Sequence, residues 1–231
     1  MKSPKNKGVI ILAHGWDSDK QGMLNYSKFF YKNGYNSLLL DLRGNGESEG
    51  DYTSLGYYEA NDVLGAIRFV KSRNDLKNNK IGALGLSMGG AAIIKTAEDN
   101  NELSAIAVDS TYPNINQNAA RRFKKVYGFP KFPFATSITF FGGLILGVNG
   151  FGLAPEKYVS NVHSPIMIIQ GTQDDQVTIE DANQIYRNAN EPKFLLLVEN
   201  GKHANSYTAN PNLYEKSAIE FFDKYLNTRS S

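Results

Sequence analysis

Cysteine is absent from all 231 residues, which excludes disulfides, thiolate metal sites and a cysteine nucleophile. An excess of one charge sign is also missing: 25 basic and 23 acidic residues leave a net +2 without long runs, giving no electrostatic footprint for nucleic acid. The apolar run that follows Lys2, Lys5 and Lys7 is only Val9 to Leu12 before His14 intervenes, too short for a secretory leader. The expected location is therefore the cytoplasm. Histidine is scarce as well, with three copies at 14, 163 and 203. Any chemistry that needs an imidazole must draw on those three.

What remains is an ordinary globular composition, 41% hydrophobic, in a chain long enough to bury a large core as one domain spanning 1–231. Short apolar runs alternate with amphipathic stretches, the order that builds a parallel sheet covered on both faces. Strands are expected at 9–13, 37–41, 80–86, 104–109, 165–170 and 193–199. Helices are expected near 21–32, 54–73, 88–99, 179–189 and 211–227, the last with Leu213, Tyr214, Ala218, Phe221, Phe222 and Tyr225 on a core-facing side. Loops at the carboxyl edge of such a sheet carry its chemistry.

One of those loops is distinctive. Gly85-Leu86-Ser87-Met88-Gly89 follows an apolar strand and opens a helix, the nucleophile-elbow spacing in which a serine sits on a strained turn and small neighbours let backbone pass close. A hydroxyl is a poor nucleophile at its free pKa, so the serine needs a base, and the base needs an orienting group. Of the histidines only His203, in the loop after the final strand, stands where an imidazole reaches the same sheet edge. His163 reads as a surface histidine. The acid is expected in Gly171 to Val177, after the fifth strand, where Asp174 and Asp175 leave a choice.

These motifs together resemble the α/β-hydrolase superfamily, whose triad runs serine, acid, histidine. His14-Gly15-Trp16 is similar to its oxyanion loop, Asp41-Leu42-Arg43-Gly44-Asn45-Gly46-Glu47-Ser48 to its Asp-x-Arg-Gly-x-Gly-x-Ser turn, and Gly171 to Val177 to its acid turn. Asn45 departs from the histidine often found there. The resemblance spans about Val9 to Leu226 and is nearest to bacterial single-domain esterases and serine aminopeptidase-like, Bem46-type hydrolases. It implies an α/β-hydrolase fold with a mostly parallel sheet of about six strands; the two antiparallel strands that family members place first have no room ahead of Val9, so the expectation is either a compact version of the fold or a chain whose native N-terminal part lies outside this sequence. It further implies Ser87 as nucleophile, His203 as base and Asp174 as orienting acid, with Asp175 the runner-up. The Trp16 and Met88 amides become the oxyanion hole. His14 is expected to order its loop, and Asp41 to anchor its turn with Arg43 as local partner. No metal or organic cofactor is implied.

Between the fourth and fifth strands, about 112–163, the alternation breaks. This stretch carries Arg121, Arg122, Lys124 and Lys125, then no charge from Phe132 to Pro155. Pro133, Asn149, hydroxyls and glycines make it a poor membrane span. It is expected to be a small helical lid whose Phe140, Phe141 and Leu144 line an acyl pocket. Such a lid favours apolar acyl groups and leaves contact with a lipid surface as a minor alternative. The expected activity is hydrolysis of carboxylic esters through an acyl-enzyme. The alternatives are a peptidase using Glu47, Glu49 and Asp51 to hold an amine, a thioesterase using the four basic residues of the lid, or a hydrolase-like binding protein. The expected partner is a small acyl compound, and a free sheet edge near 37–41 would allow a homodimer.

Overall fold

The computed structural model describes residues 1–226. Six strands, β1 (Val9–Ala13), β2 (Asn36–Leu40), β3 (Ile81–Leu86), β4 (Leu103–Asp109), β5 (Ile166–Gly171) and β6 (Lys193–Val198), form one sheet in the order β2-β1-β3-β4-β5-β6. Every pairing is parallel. The helices are α1 (Leu24–Lys32), α2 (Glu59–Ser72), α3 (Met88–Glu98), α4 (Ile115–Tyr127), α5 (Thr136–Leu146), α6 (Pro155–Tyr158), α7 (Ile179–Asn188), α8 (Ser206–Ala209) and α9 (Pro211–Leu226). Residue 227, the expected end of the last helix, lies outside the described residues.

Side chains alternate across a strand, and here the alternation divides the core in two. Val9, Ile11 and Ala13 of β1 pack with α2, α3 and α7 on one face of the sheet. Ile10 and Leu12 pack with α1 and α9 on the other, among Phe29, Phe30, Tyr214 and Phe222. Both faces of β1, β3 and β4 are buried, which is why those strands read as unbroken apolar runs. The strand order reverses between β1 and β3, and that switch point is where ligands meet parallel sheets.

The helix expected over 54–73 begins later, at Glu59. Leu55 and Gly56 take left-handed backbone, at φ 56° and 104°, and the buried Glu59 carboxylate accepts from the Ser54 and Gly56 N–H groups at 2.7 Å. Those bonds hold a turn where a propensity reading continues the helix. At the sheet edge, Ser37 of β2 exchanges backbone hydrogen bonds with Met1, at 2.8 and 2.6 Å, so that position already has a partner.

Candidate active site

Leu86 ends β3 and Met88 starts α3, leaving Ser87 alone to turn the chain at φ 49°, ψ −110°. Such backbone costs a non-glycine residue about 1–3 kcal/mol and persists only where neighbours fix it. Here the Ser87 N–H donates to Asp109 O at 2.8 Å and Ser87 O accepts from Ala91 N–H at 3.1 Å. The glycine two residues on is required by close approach: a Cβ on Gly89 would collide with the carbonyl oxygens of Ala13 and His14. The small residue thus seats α3 against the end of β1, beside the loop that carries Trp16.

The acid and histidine loops are brought together by a second close approach. Gly171, at the end of β5, crosses Gly201, where a Cβ on either would meet the other's backbone, and Gln173 N–H donates to Gly201 O at 2.9 Å. Asp174 is thereby buried with Oδ2 2.9 Å from His203 Nδ1, and His203 Nε2 lies 3.1 Å from Ser87 Oγ. A carboxylate only accepts, so Nδ1 carries the ring proton and Nε2 is left to accept from the serine hydroxyl. Asp174 Oδ1 takes the Gln176 and Val177 N–H groups, both at 2.9 Å. Burial acts to raise the Asp174 pKa, but His203 and those two N–H donors outweigh it and hold the carboxyl below its ordinary value. Asp175 points away, exposed, with its carboxylate 2.5 Å from Lys125 Nζ.

His14 is fully buried and bonded at both ring nitrogens. Nε2 accepts from Leu42 N–H at 3.0 Å, so Nδ1 is the donor to Gly15 O at 2.7 Å. The ring ties the Gly15–Trp16 loop to the turn after β2. Asp41 holds that turn through the Lys20 N–H at 2.7 Å, the Lys20 ammonium at 2.8 Å and the Glu47 N–H at 3.1 Å. Arg43 is not its partner. The guanidinium instead forks onto Asp62 of α2, with Nη2 to Oδ1 at 2.7 Å and Nε to Oδ2 at 3.0 Å, because planar Arg–carboxylate geometry is better satisfied there.

Ser87, His203, Trp16 and Met88 open into one cavity of about 670 Å³, within the size range of small-molecule sites. Its apolar wall comes from Leu86, Tyr112, Ile115, Phe123 and Ile138, and its mouth holds Asp17 and Arg122. Phe140, Phe141 and Leu144, expected to line an acyl pocket, do not: all three are exposed on the outer side of α5. The inner side of that helix is small, with Thr139 and Gly143 buried where the 148–150 segment crosses it. Large side chains are displaced outward as a result. Glu47, Glu49 and Asp51 do not line the cavity, nor do Arg121, Lys124 and Lys125.

Sequence reasoning missed Asp109. It ends β4 fully buried, its Oδ1 accepting from Ser110 Oγ at 3.0 Å and Ser206 Oγ at 2.8 Å, while Ser110 Oγ accepts from Ala204 N–H at 3.0 Å. A buried carboxylate therefore supports the residue next to His203. Burial pushes the Asp109 pKa up to about 6, against the pull of its hydroxyl donors. The signal was available: a lone acid closing the apolar run Ile106-Ala107-Val108, one strand from Ser87.

A six-stranded parallel sheet with a serine on its strand-to-helix turn, facing a histidine and an acid from later carboxyl-edge loops, defines an α/β-hydrolase. The chain belongs to the prolyl oligopeptidase family, which matches residues 23–229, and is a hydrolase. It is 29% identical over 217 residues to the uncharacterized protein YqkD of Bacillus subtilis, covering 93% of this chain and 71% of that one. The uncharacterized protein YfhR of Escherichia coli K12 is 25% identical over 226 residues, 96% of this chain and 72% of the relative. Among solved structures, the Pyrococcus furiosus esterase Pf2001 superposes with a TM-score of 0.79 at 24% identity, covering 96% of this chain and 83% of the other. That last likeness is one of fold.

Proposed function

We propose that the protein is a serine esterase that cleaves carboxylic esters with an apolar acyl group. The observation that carries this reading is the unbroken line from Ser87 Oγ through His203 to Asp174, at 3.1 and 2.9 Å, opening into a largely apolar cavity. Ser87 attacks the ester carbonyl carbon as His203 Nε2 takes its proton, and Asp174 stabilises the imidazolium that forms. The Met88 amide, at the first turn of α3, has no intrahelical acceptor. Together with the Trp16 amide it holds the developing oxyanion. The imidazolium returns its proton to the leaving alkoxide, and water activated by the same histidine hydrolyses the acyl-enzyme.

Family membership favours a second reading, cleavage of an amide or peptide on the same residues. A peptide amine needs a carboxylate near the serine, and among the described residues Asp17 is the one acid lining this cavity. The test is turnover of p-nitrophenyl esters from acetate to laurate beside aminoacyl and prolyl p-nitroanilides, with wild type and Ser87→Ala. Ester turnover that disappears in the variant supports the proposal. Turnover of anilides without esters overturns it in favour of a peptidase, and turnover of neither overturns it in favour of a binding protein.

A further inference from the structure

Helix α5 is built inside out. Its buried positions are Thr139 and Gly143 and Ile138 turns toward the Ser87 cavity, while Phe140, Phe141, Leu144 and Ile145 face solvent, Ile145 with 85% of its surface exposed. Soluble proteins bury the apolar stripe of a helix and expose the polar one. The apolar surface also continues beyond α5. Val126 and Tyr127 at the end of α4, and Phe129, Phe132 and Phe134 between α4 and α5, are exposed. Rings of Phe123, Tyr127, Phe129 and Phe134 follow one another at 5.3, 6.1 and 4.4 Å. Phe123 is also a wall of the Ser87 cavity. A contiguous exposed apolar surface of this kind marks an interaction site.

Charge identifies the occupant. Between Ser110 and Ala154 the chain carries five cations, Arg121, Arg122, Lys124, Lys125 and Lys131, and no carboxylate, although its overall net charge is only +2. Arg121 and Lys125 are tied to Asp181 and Asp175, and Arg122 lies over the Trp16 ring at 4.6 Å. Lys124 and Lys131 are exposed and have no acidic partner among the described residues. Aromatic and aliphatic side chains flanked by free lysines match the boundary of an anionic bilayer, where apolar groups enter the acyl region and cations meet headgroups. A second copy of the chain fits poorly, because a two-fold contact would set this cationic cap against itself. α5 alone is too short to cross, its 11 residues making about 16 Å of helix against a hydrocarbon core of about 30 Å, and α4 with the 131–146 stretch, long and apolar enough only when taken together, is bent by 118° at the junction. Among the described residues no single helix is long and apolar enough to span.

We propose that the α4–α5 cap docks the protein on an anionic lipid surface, with α5 lying in the interface and the Phe134-to-Phe123 ring track leading from it to the Ser87 cavity. Docking does not depend on which bond Ser87 cleaves. The experiment is co-sedimentation of the full chain with vesicles of phosphatidylcholine and phosphatidylglycerol, beside vesicles of phosphatidylcholine alone, at low and high salt. Sedimentation velocity without lipid reports self-association. Wild type is expected to partition to the anionic vesicles, less so at high salt. The double variant Phe141→Ser/Ile145→Ser is expected to lose more than tenfold in partition, with an unchanged thermal unfolding midpoint because neither side chain is buried. Lys124→Gln/Lys131→Gln is expected to lose on the order of 20-fold on anionic vesicles and nothing on neutral ones. Absence of vesicle binding overturns the proposal, as does binding that both variants retain. A dimer dissolved by Phe141→Ser/Ile145→Ser, without vesicle binding, overturns it in favour of a second copy.

Discussion

Asp109→Asn tests the electrostatics beneath the His203 loop. In the folded chain the Asp109 carboxyl is fully buried, its Oδ2 has no hydrogen-bond partner among the described residues, and neither has the Tyr214 hydroxyl beside it. Burial raises its pKa from an ordinary 3.8 to about 6. The folded state thus holds a proton that the unfolded state has already released between those two values, so this group makes stability fall as pH rises through that window. Below it both states are protonated and there is no cost; above it the full cost of burying the ionised carboxyl applies, about 3 kcal/mol. Asparagine keeps an oxygen for the Ser110 and Ser206 hydroxyls and supplies a donor toward Tyr214, but it does not ionise. Urea unfolding of both proteins between about pH 4 and pH 7 isolates the effect, because every other titration cancels in the difference. The variant is expected to gain about 3 kcal/mol on wild type across that range, equivalent to about 6–12 °C in Tm for a domain of this size. A difference that stays flat with pH refutes the reasoning and shows that Asp109 keeps an ordinary pKa.

Two further substitutions separate roles at the sheet edge. Asp174→Asn is expected to lower kcat by about four orders of magnitude, since the wrong His203 tautomer then faces Ser87, whereas Asp175→Asn loses only the exposed Lys125 pair and stays within about twofold. Steady-state turnover of the best p-nitrophenyl ester checks both, and the reverse pattern refutes the assignment. Gly89→Ala forces the Ala13 and His14 carbonyls apart and is expected to cost about 1–3 kcal/mol in urea unfolding. Its kcat should fall more than its KM rises, because the displaced groups carry the Trp16 and Met88 amides.

The sheet was legible because the strands buried on both faces leave continuous apolar runs with sharp ends, and each boundary moved by only a residue. Ser87 and His203 were legible because an elbow has a fixed spacing and only three histidines compete. What sequence left unresolved was decided by contacts distant along the chain. Asp174 and Asp175 are chemical equals until the Gly171–Gly201 crossing turns one toward His203 and leaves the other to Lys125. Arg43 and Asp41 are neighbours in sequence, yet Arg43 finds Asp62, 19 residues away. Asp109 shows in the sequence as a lone acid closing an apolar strand, but its hydroxyl partner Ser206 lies 97 residues away.

The misreading of Phe140, Phe141 and Leu144 has a different origin. Over Phe132 to Pro155 nearly every large residue is apolar, so hydrophobicity cannot say which face of a helix turns inward. Steric fit says it instead: only the Thr139–Gly143 side is small enough for the 148–150 segment to cross. The consequence is a division of labour between rigid and peripheral parts. Elbow, acid turn and His203 loop are fixed by close backbone approaches at the sheet edge, so substitutions there act on kcat. The outer face of α5 touches none of these groups, so substitutions there are expected to leave the turnover of a water-soluble substrate intact. A Phe141→Ser/Ile145→Ser protein that lost kcat on such a substrate would show that the outer face of α5 is coupled to the elbow, and the division would fail.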